Sequence, residues 1–333
     1  MSAAESTRFA KMVHQNQDDG VCEINNKLQN MTTDDKDNGV SKCANCGKEG
    51  AKNICNKCKM VTYCNAACKK KHRSKHKKAC ERRVAELHDV ELFKQPPSPA
   101  EECPICFVRL PHLDTGCQYY SCCGMTVCSG CIHAPVYDNQ GNKVDIKTCP
   151  FCRTPLPKSI EEATEREKKR MEVGDPGAIH SLGCDYRDGR NGFPQDHGKA
   201  LELWHRAGEL GFAKAYVNIG YAYQYGEGVE VDEKKAIHYY ELAAMAGDAD
   251  ARHNLGNEEI RAGNCDRALN HHMIAVRAGD NDSLKEIQNL FSNGNATRED
   301  YTRALQSYQM YLMEIKSDQR DKAAAFSENY RYY

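Results

Sequence analysis

Long apolar runs are missing from this 333-residue chain. No stretch approaches the 18 or so consecutive apolar residues of a membrane span, so no membrane partner is expected. The opening MSAAESTRFAKMVHQNQDDG lacks the apolar core of a secretory leader. The expected location is therefore intracellular, in cytoplasm or nucleus, where thiols stay reduced. Net charge is nearly absent as well: 46 Lys and Arg stand against 47 Asp and Glu. Tryptophan occurs once, as Trp204. No phosphate-cradling loop, nucleophile–base pair or acid pair stands out, so no residue of the chain is expected to act as a catalytic group.

Cysteine is what the chain has in excess, with 19 residues, 16 of them between Cys43 and Cys152. Clustered thiols in a reducing compartment point to metal rather than disulfides. Charge is also uneven. Residues 42–83 hold 14 basic and 2 acidic residues, a local +12, so the remainder must sum to −13. A basic run can attract nucleic acid, but only Tyr63 lies near enough to offer stacking. The lysines of CNAACKKKHRSKHKKAC (64–80) are better read as the solvated face of a metal-folded helix, and nucleic acid is not the expected partner.

The first block runs Cys43-x2-Cys46-x8-Cys55-x2-Cys58-x5-Cys64-x3-Cys68-x7-His76-x3-Cys80. Cys64/Cys68 and His76/Cys80 are i,i+4 pairs that fit one face of a helical turn. Eight donors make two tetrahedral zinc sites. A block of this size is too small to fold on its core alone. Zinc, worth roughly 10–16 kcal/mol per structural site, can substitute for that core. The spacing, with Tyr63 before Cys64, resembles the MYND zinc finger. That resemblance implies interleaved sites, Cys43, Cys46, Cys64 and Cys68 on one ion and Cys55, Cys58, His76 and Cys80 on the other. It also implies a protein-interaction module that grips proline-containing peptides.

The second block reads Cys103-x2-Cys106, then Cys122-Cys123, Cys128-x2-Cys131 and Cys149-x2-Cys152. It resembles an all-cysteine RING finger. The resemblance implies cross-bracing, Cys103, Cys106, Cys128 and Cys131 on one zinc and Cys122, Cys123, Cys149 and Cys152 on the other. About four zinc ions are therefore expected in all. The pattern departs from the family where the third and fourth ligands are adjacent, which leaves Cys117 as an alternative to Cys122. NQGN (139–142) suggests a turn between short strands, Val136–Tyr137 and Lys143–Asp145. RING-type ubiquitin ligases have no nucleophile of their own; they hold a ubiquitin-conjugating enzyme and restrain its bound ubiquitin, which is catalysis by positioning. Ile105, Pro150 and Arg153 occupy the positions to which the resemblance assigns that partner contact. The bulky residue common between the sixth and seventh ligands is missing.

From about residue 175 the composition turns to Ala, Leu, Tyr and Gly. Lys199-Ala200, Lys235-Ala236, Arg267-Ala268 and Arg303-Ala304 recur at intervals of 36, 32 and 36. Ala178, Ala215, Ala251 and Ser283 mark partner helices, with Leu182, Ile219, Leu255 and Ile287 four residues on. Such a period means a helical solenoid, and the copies resemble Sel-one-like repeats, relatives of tetratricopeptide repeats. Gly211, Gly247 and Gly279 are placed to end helices.

The expected organisation is multidomain: two small zinc-stabilised fingers followed by an all-α repeat solenoid. Residues 1–41 are a polar, disordered segment; 42–83 the MYND-like finger; 84–102 a helix and Pro-rich linker; 103–153 the RING-like finger; 154–174 a charged helical spacer; 175–315 the repeats; 316–333 a tail. The repeats, with an aliphatic core, are expected to fold without metal. The function implied is a zinc-dependent interaction protein, a RING-type ubiquitin ligase recruiting substrates through the MYND finger and the repeats, with a non-catalytic scaffold or nuclear regulator as the alternative.

Overall fold

The architecture is an amino-terminal cysteine-rich finger region followed by an all-helical repeat region. A computed structural model describes residues 41–94, 101–112, 114–136 and 147–333. The amino-terminal segment, most of the Pro-rich linker and the NQGN turn lie outside the described residues. Val136, expected in a strand, instead closes a 3-10 turn at Ala134–Val136. The chain divides into two compact units, Met1–Lys94 and Gln95–Tyr333.

In the first unit, β1 (Asn53–Ile54) pairs antiparallel with β2 (Thr62–Tyr63), and helix α1 follows at Ala66–Leu92. Asn65 caps α1 by accepting the Cys68 N–H. The helix expected in the first part of 84–102 is not separate from the lysine-rich segment; one helix of 27 residues runs through both. The core is little more than Cys43, Ala51, Cys55, Cys58 and Tyr63, which is why metal must supply the rest of the stability.

The second unit begins with the second finger: β3 (Cys117–Tyr120) and β4 (Met125–Cys128) form an antiparallel hairpin, and α2 (Ser129–His133) follows. The charged helix α3 spans Ile160–Glu172. Ser159 accepts the Glu162 N–H, and the Glu162 carboxylate accepts the Lys158 N–H, so both cap the start of the helix. Then come the repeat helices α4 (Pro176–Asp188), α5 (His197–Glu209), α6 (Ala213–Tyr225), α7 (Glu233–Met245), α8 (Ala249–Arg261), α9 (Cys265–Ala278), α10 (Asn281–Ser292) and α11 (Arg298–Ile315). Ala178, Ala200, Ala215, Ala236, Ala251, Ala268, Ser283 and Ala304 are all buried, so the small residues mark the close helix contacts. Asp232, Asp248 and Asp280 each cap a helix with a carboxylate. Gly211, Gly247 and Gly279 all lie at positive φ, between 94° and 106°, at the ends of α5, α7 and α9. The shortened third copy joins α8 to α9 through only Ala262, Gly263 and Asn264.

Residues 316–333, expected as a tail, are not one. They form α12 (Asp318–Phe326) and a 3-10 turn, and they return to the second finger. Arg320, 0% exposed, donates to the carbonyls of Val108, Arg109 and Ile315. Thr115 donates to the Arg331 carbonyl at 2.6 Å, and His133 of α2 packs on the rings of Phe326 and Tyr330. The second finger also holds the start of the array, where Tyr119 donates to Asp175 at 2.9 Å and Arg170 donates to the Ser121 carbonyl at 3.2 Å. At the far end, Arg109 pairs with Glu314 and the His112 N–H donates to the Tyr311 hydroxyl. The finger and the repeats thus share contacts at both ends, and the expectation of an independently folded solenoid meets these contacts.

Candidate metal centres

Four groups of donors converge, each with all ligand atoms within 4.8 Å of one another: Cys43, Cys46, Cys64 and Cys68; Cys55, Cys58, His76 and Cys80; Cys103, Cys106, Cys128 and Cys131; Cys122, Cys123, Cys149 and Cys152. A tetrahedron with zinc–sulfur bonds of about 2.3 Å has sulfur–sulfur edges of about 3.8 Å. The edges here are 3.7 Å for Cys46–Cys64, 3.8 Å for Cys55–Cys80, 3.7 Å for Cys106–Cys128 and 3.9 Å for Cys123–Cys149. Cys64–Cys68 at 3.5 Å and Cys122–Cys152 at 3.3 Å are somewhat tighter. The His76 Nε2 lies 3.2 Å from the Cys58 sulfur, so it faces the centre of its group. Size and donor chemistry therefore fit zinc in all four groups.

One local structure builds half of these donors. In Cys43-x2-Cys46, Cys55-x2-Cys58, Cys103-x2-Cys106 and Cys149-x2-Cys152 the residue after the second cysteine returns its N–H to the carbonyl of the first. That turn needs a left-handed residue, and the positions hold Gly47, Lys59, Phe107 and Arg153, with φ between 55° and 73°. Only Gly47 is free of the strain, about 1–2 kcal/mol, that a side chain brings there. Cys128 and Cys131 are presented differently, at the amino-terminal end of α2.

Cys122 and Cys123, adjacent in sequence, both reach one group because the chain turns tightly after β3. The N–H groups of Cys123 and Gly124 both meet the Tyr120 carbonyl. Cys117 stays on β3, opposite Cys128 in the register, outside the group. His72 is likewise outside; its Nδ1 lies 3.2 Å from the Tyr63 hydroxyl. No described cysteine is in a disulfide.

Ile105 is 38% exposed, Pro150 is half-buried and Arg153 is exposed. Phe107 was not expected from the sequence to matter, yet it is 73% exposed and left-handed. Its signal was its place, equivalent to Gly47 in the first finger.

A fifth group joins the finger to the repeats. His112 Nε2 lies 3.1 Å from Asp250 and 3.7 Å from Asp280. Burial works against charge on His112, and the two carboxylates outweigh it, lifting the imidazole to about 10.

Comparison with known proteins agrees with part of this arrangement. Residues 43–80 match the MYND finger family, and residues 176–212 and 213–248 match the Sel1 repeat. The second match covers α4–α5 and α6–α7. The ERAD-associated E3 ubiquitin-protein ligase component HRD3B of Arabidopsis thaliana is 38% identical over 90 residues, 26% of this chain and 13% of that protein. This chain therefore spans only a small part of that relative. Among solved structures, a Sel1 repeat protein from Oxalobacter formigenes is 28% identical with a TM-score of 0.41, over 52% of this chain and 67% of that one. The uropathogenic Escherichia coli antigen c5321, with an SLR fold, is 21% identical with a TM-score of 0.40, over 53% and 42%. The chain carries a zinc-binding MYND finger at residues 43–80 and Sel1 repeats at residues 176–248.

Proposed function

We propose that this protein is an interaction scaffold whose second finger acts as a RING-type platform for a ubiquitin-conjugating enzyme, with the MYND finger and the repeats recruiting substrates. Phe107 carries the reading. An exposed aromatic held in a left-handed conformation costs stability and invites a functional explanation. Glycine would serve the turn better, and the exposed ring adds nothing to the knuckle itself, so it is free to meet a partner. Ile105 in the same knuckle adds apolar surface, and exposed apolar surface of this kind suits a protein partner. Arg153 takes the equivalent place after the last knuckle and supplies a cation for restraining the bound ubiquitin. The similarity to an E3 ubiquitin-protein ligase component supports the same direction.

The test uses the full chain in a ubiquitin-discharge assay across a broad panel of conjugating enzymes. Phe107→Gly should raise stability by about 1 kcal/mol while weakening docking, so the two readouts move in opposite directions. Ile105→Ala should also weaken docking. Arg153→Ala should spare docking and slow discharge, as an effect on kcat separates from one on KM. A zinc-loaded chain inert across the whole panel would leave the scaffold without ligase activity.

That second reading has its own support. Ser129, Gly130, Cys131 and His133 of α2 are buried, and α12 packs on this helix. A side chain at Gly130 would collide with the Arg320 backbone. A finger so covered can be structural.

A further inference from the structure

We propose that His112, Asp250 and Asp280 form a fifth metal site, separate from the four thiolate groups, which takes a divalent first-row transition ion through one nitrogen and two oxygen donors. The three come from distant elements. His112 lies in the finger loop, where its own N–H is fixed at 2.7 Å on the Tyr311 hydroxyl. Asp250 is in the first turn of α8, and Asp280 caps α10. Their donor atoms all lie within 4.8 Å of one another.

An ion bound at about 2.1 Å by tetrahedral nitrogen and oxygen donors would set ligand edges of about 3.4 Å. The observed edges from His112 Nε2, 3.1 and 3.7 Å, straddle that value. A proton on Nε2 serves the pair less evenly. It reaches Asp250, but 3.7 Å to Asp280 is beyond hydrogen-bond length. A single ion seated among the three serves all of them.

The surroundings are those of a supported ligand. Asp280 splits its oxygens: Oδ2 faces His112, while Oδ1 takes the Ser283 N–H at 2.5 Å and lies 3.5 Å from His253 Nδ1. Such outer contacts fix a carboxylate as a one-oxygen ligand. Asp248 adds a third carboxylate nearby, and Lys214 acts on both Asp248 and Asp250. Nitrogen and oxygen donors without sulfur favour zinc, cobalt or manganese over softer ions. The bound ion would clamp the finger loop onto two successive repeats.

Cobalt(II) is the probe, titrated into the full chain with zinc already in its thiolate groups. One equivalent should bind with saturable visible d–d absorption and without the near-ultraviolet thiolate-to-cobalt band that entry into a cysteine site produces. Zinc should then bleach the signal. Asp250→Asn and His112→Gln should each weaken binding at least tenfold while keeping the zinc of the thiolate groups. A wild-type chain with no saturable thiolate-free band, or variants that titrate like wild type, would overturn the site and leave a simple ion pair. Should either variant lose its helical circular dichroism, the wild-type titration alone decides.

Discussion

Arg320→Met removes a buried clasp without emptying its space. Arg320 ties three carbonyls from two distant parts of the chain, Arg109 at 2.7 Å, Val108 at 3.2 Å and Ile315 at 2.7 Å. Hydrogen bonds from a charged donor contribute about 1.5–3 kcal/mol each. Three would sum to about 5–9 kcal/mol, but the guanidinium is itself taken fully out of water and its Nε has no partner. Relief of that desolvation cost offsets part of the loss. A net destabilisation of about 3–5 kcal/mol is expected, at the severe end for one substitution. Total stabilities of about 5–15 kcal/mol leave the rest of the chain folded, so the effect should be local. Hydrogen exchange should accelerate in residues 101–116, 129–133 and 318–332, with little change in α4–α7. Arg320→Lys, keeping charge but losing the planar fork, should fall between. Unchanged exchange in those segments, together with an unchanged denaturant midpoint, would refute the clasp.

Four further outcomes are expected. Cys122→Ser should release one zinc by metal analysis and Cys117→Ser none. Chelation should remove the finger folds and also part of the helical circular dichroism, because α12 loses its seat, while complete loss would mean that α4–α7 need the metal too. Gly247→Ala should cost about 1 kcal/mol for its positive φ, and Gly279→Ala about 2–4 kcal/mol, since a side chain there would also displace the Tyr311 ring; equal melting temperatures would contradict that ranking. Burial, then the nearby His253, depresses the His272 imidazole to about 4. It stays neutral in the fold while the unfolded chain protonates near 6.5, so stability should fall by up to about 3 kcal/mol as pH drops from 6.5 to 4. His272→Gln should flatten the pH dependence of the denaturant midpoint, and an unchanged slope would count against the assignment.

The ligand groups were legible because thiol spacing is itself geometry: two cysteines with two residues between them converge whatever surrounds them. The repeats were legible because close helix contacts demand small residues at a fixed period, as Ala200, Ala236, Ala268 and Ala304 show. The choice between Cys117 and Cys122 was not legible, since it rests on the turn around Tyr120–Gly124. Phe107 looked ordinary until its backbone angle was known. The clasp was hidden because DQRDKAAAF is polar and short, and its partners, Val108 and Arg109, lie two hundred residues upstream. A lone His112 in a loop gave no sign of Asp250 and Asp280 for the same reason.

A stack of helix pairs, each touching only its neighbours, behaves as a spring: small rotations between repeats add up, and the array stretches or twists at little cost. The second finger removes that freedom. It is bonded to Asp175 and Arg170 at one end and to Tyr311, Glu314 and Arg331 at the other. The finger also meets α8 and the start of α10 through His112, so it braces the array along its length as well as at its ends. Such an array cannot gain or lose a repeat by duplication or deletion, as unbraced solenoids can, because the finger would no longer reach both ends. Its curvature, and the spacing of whatever binds along it, is set by a zinc-folded segment that precedes it in the chain.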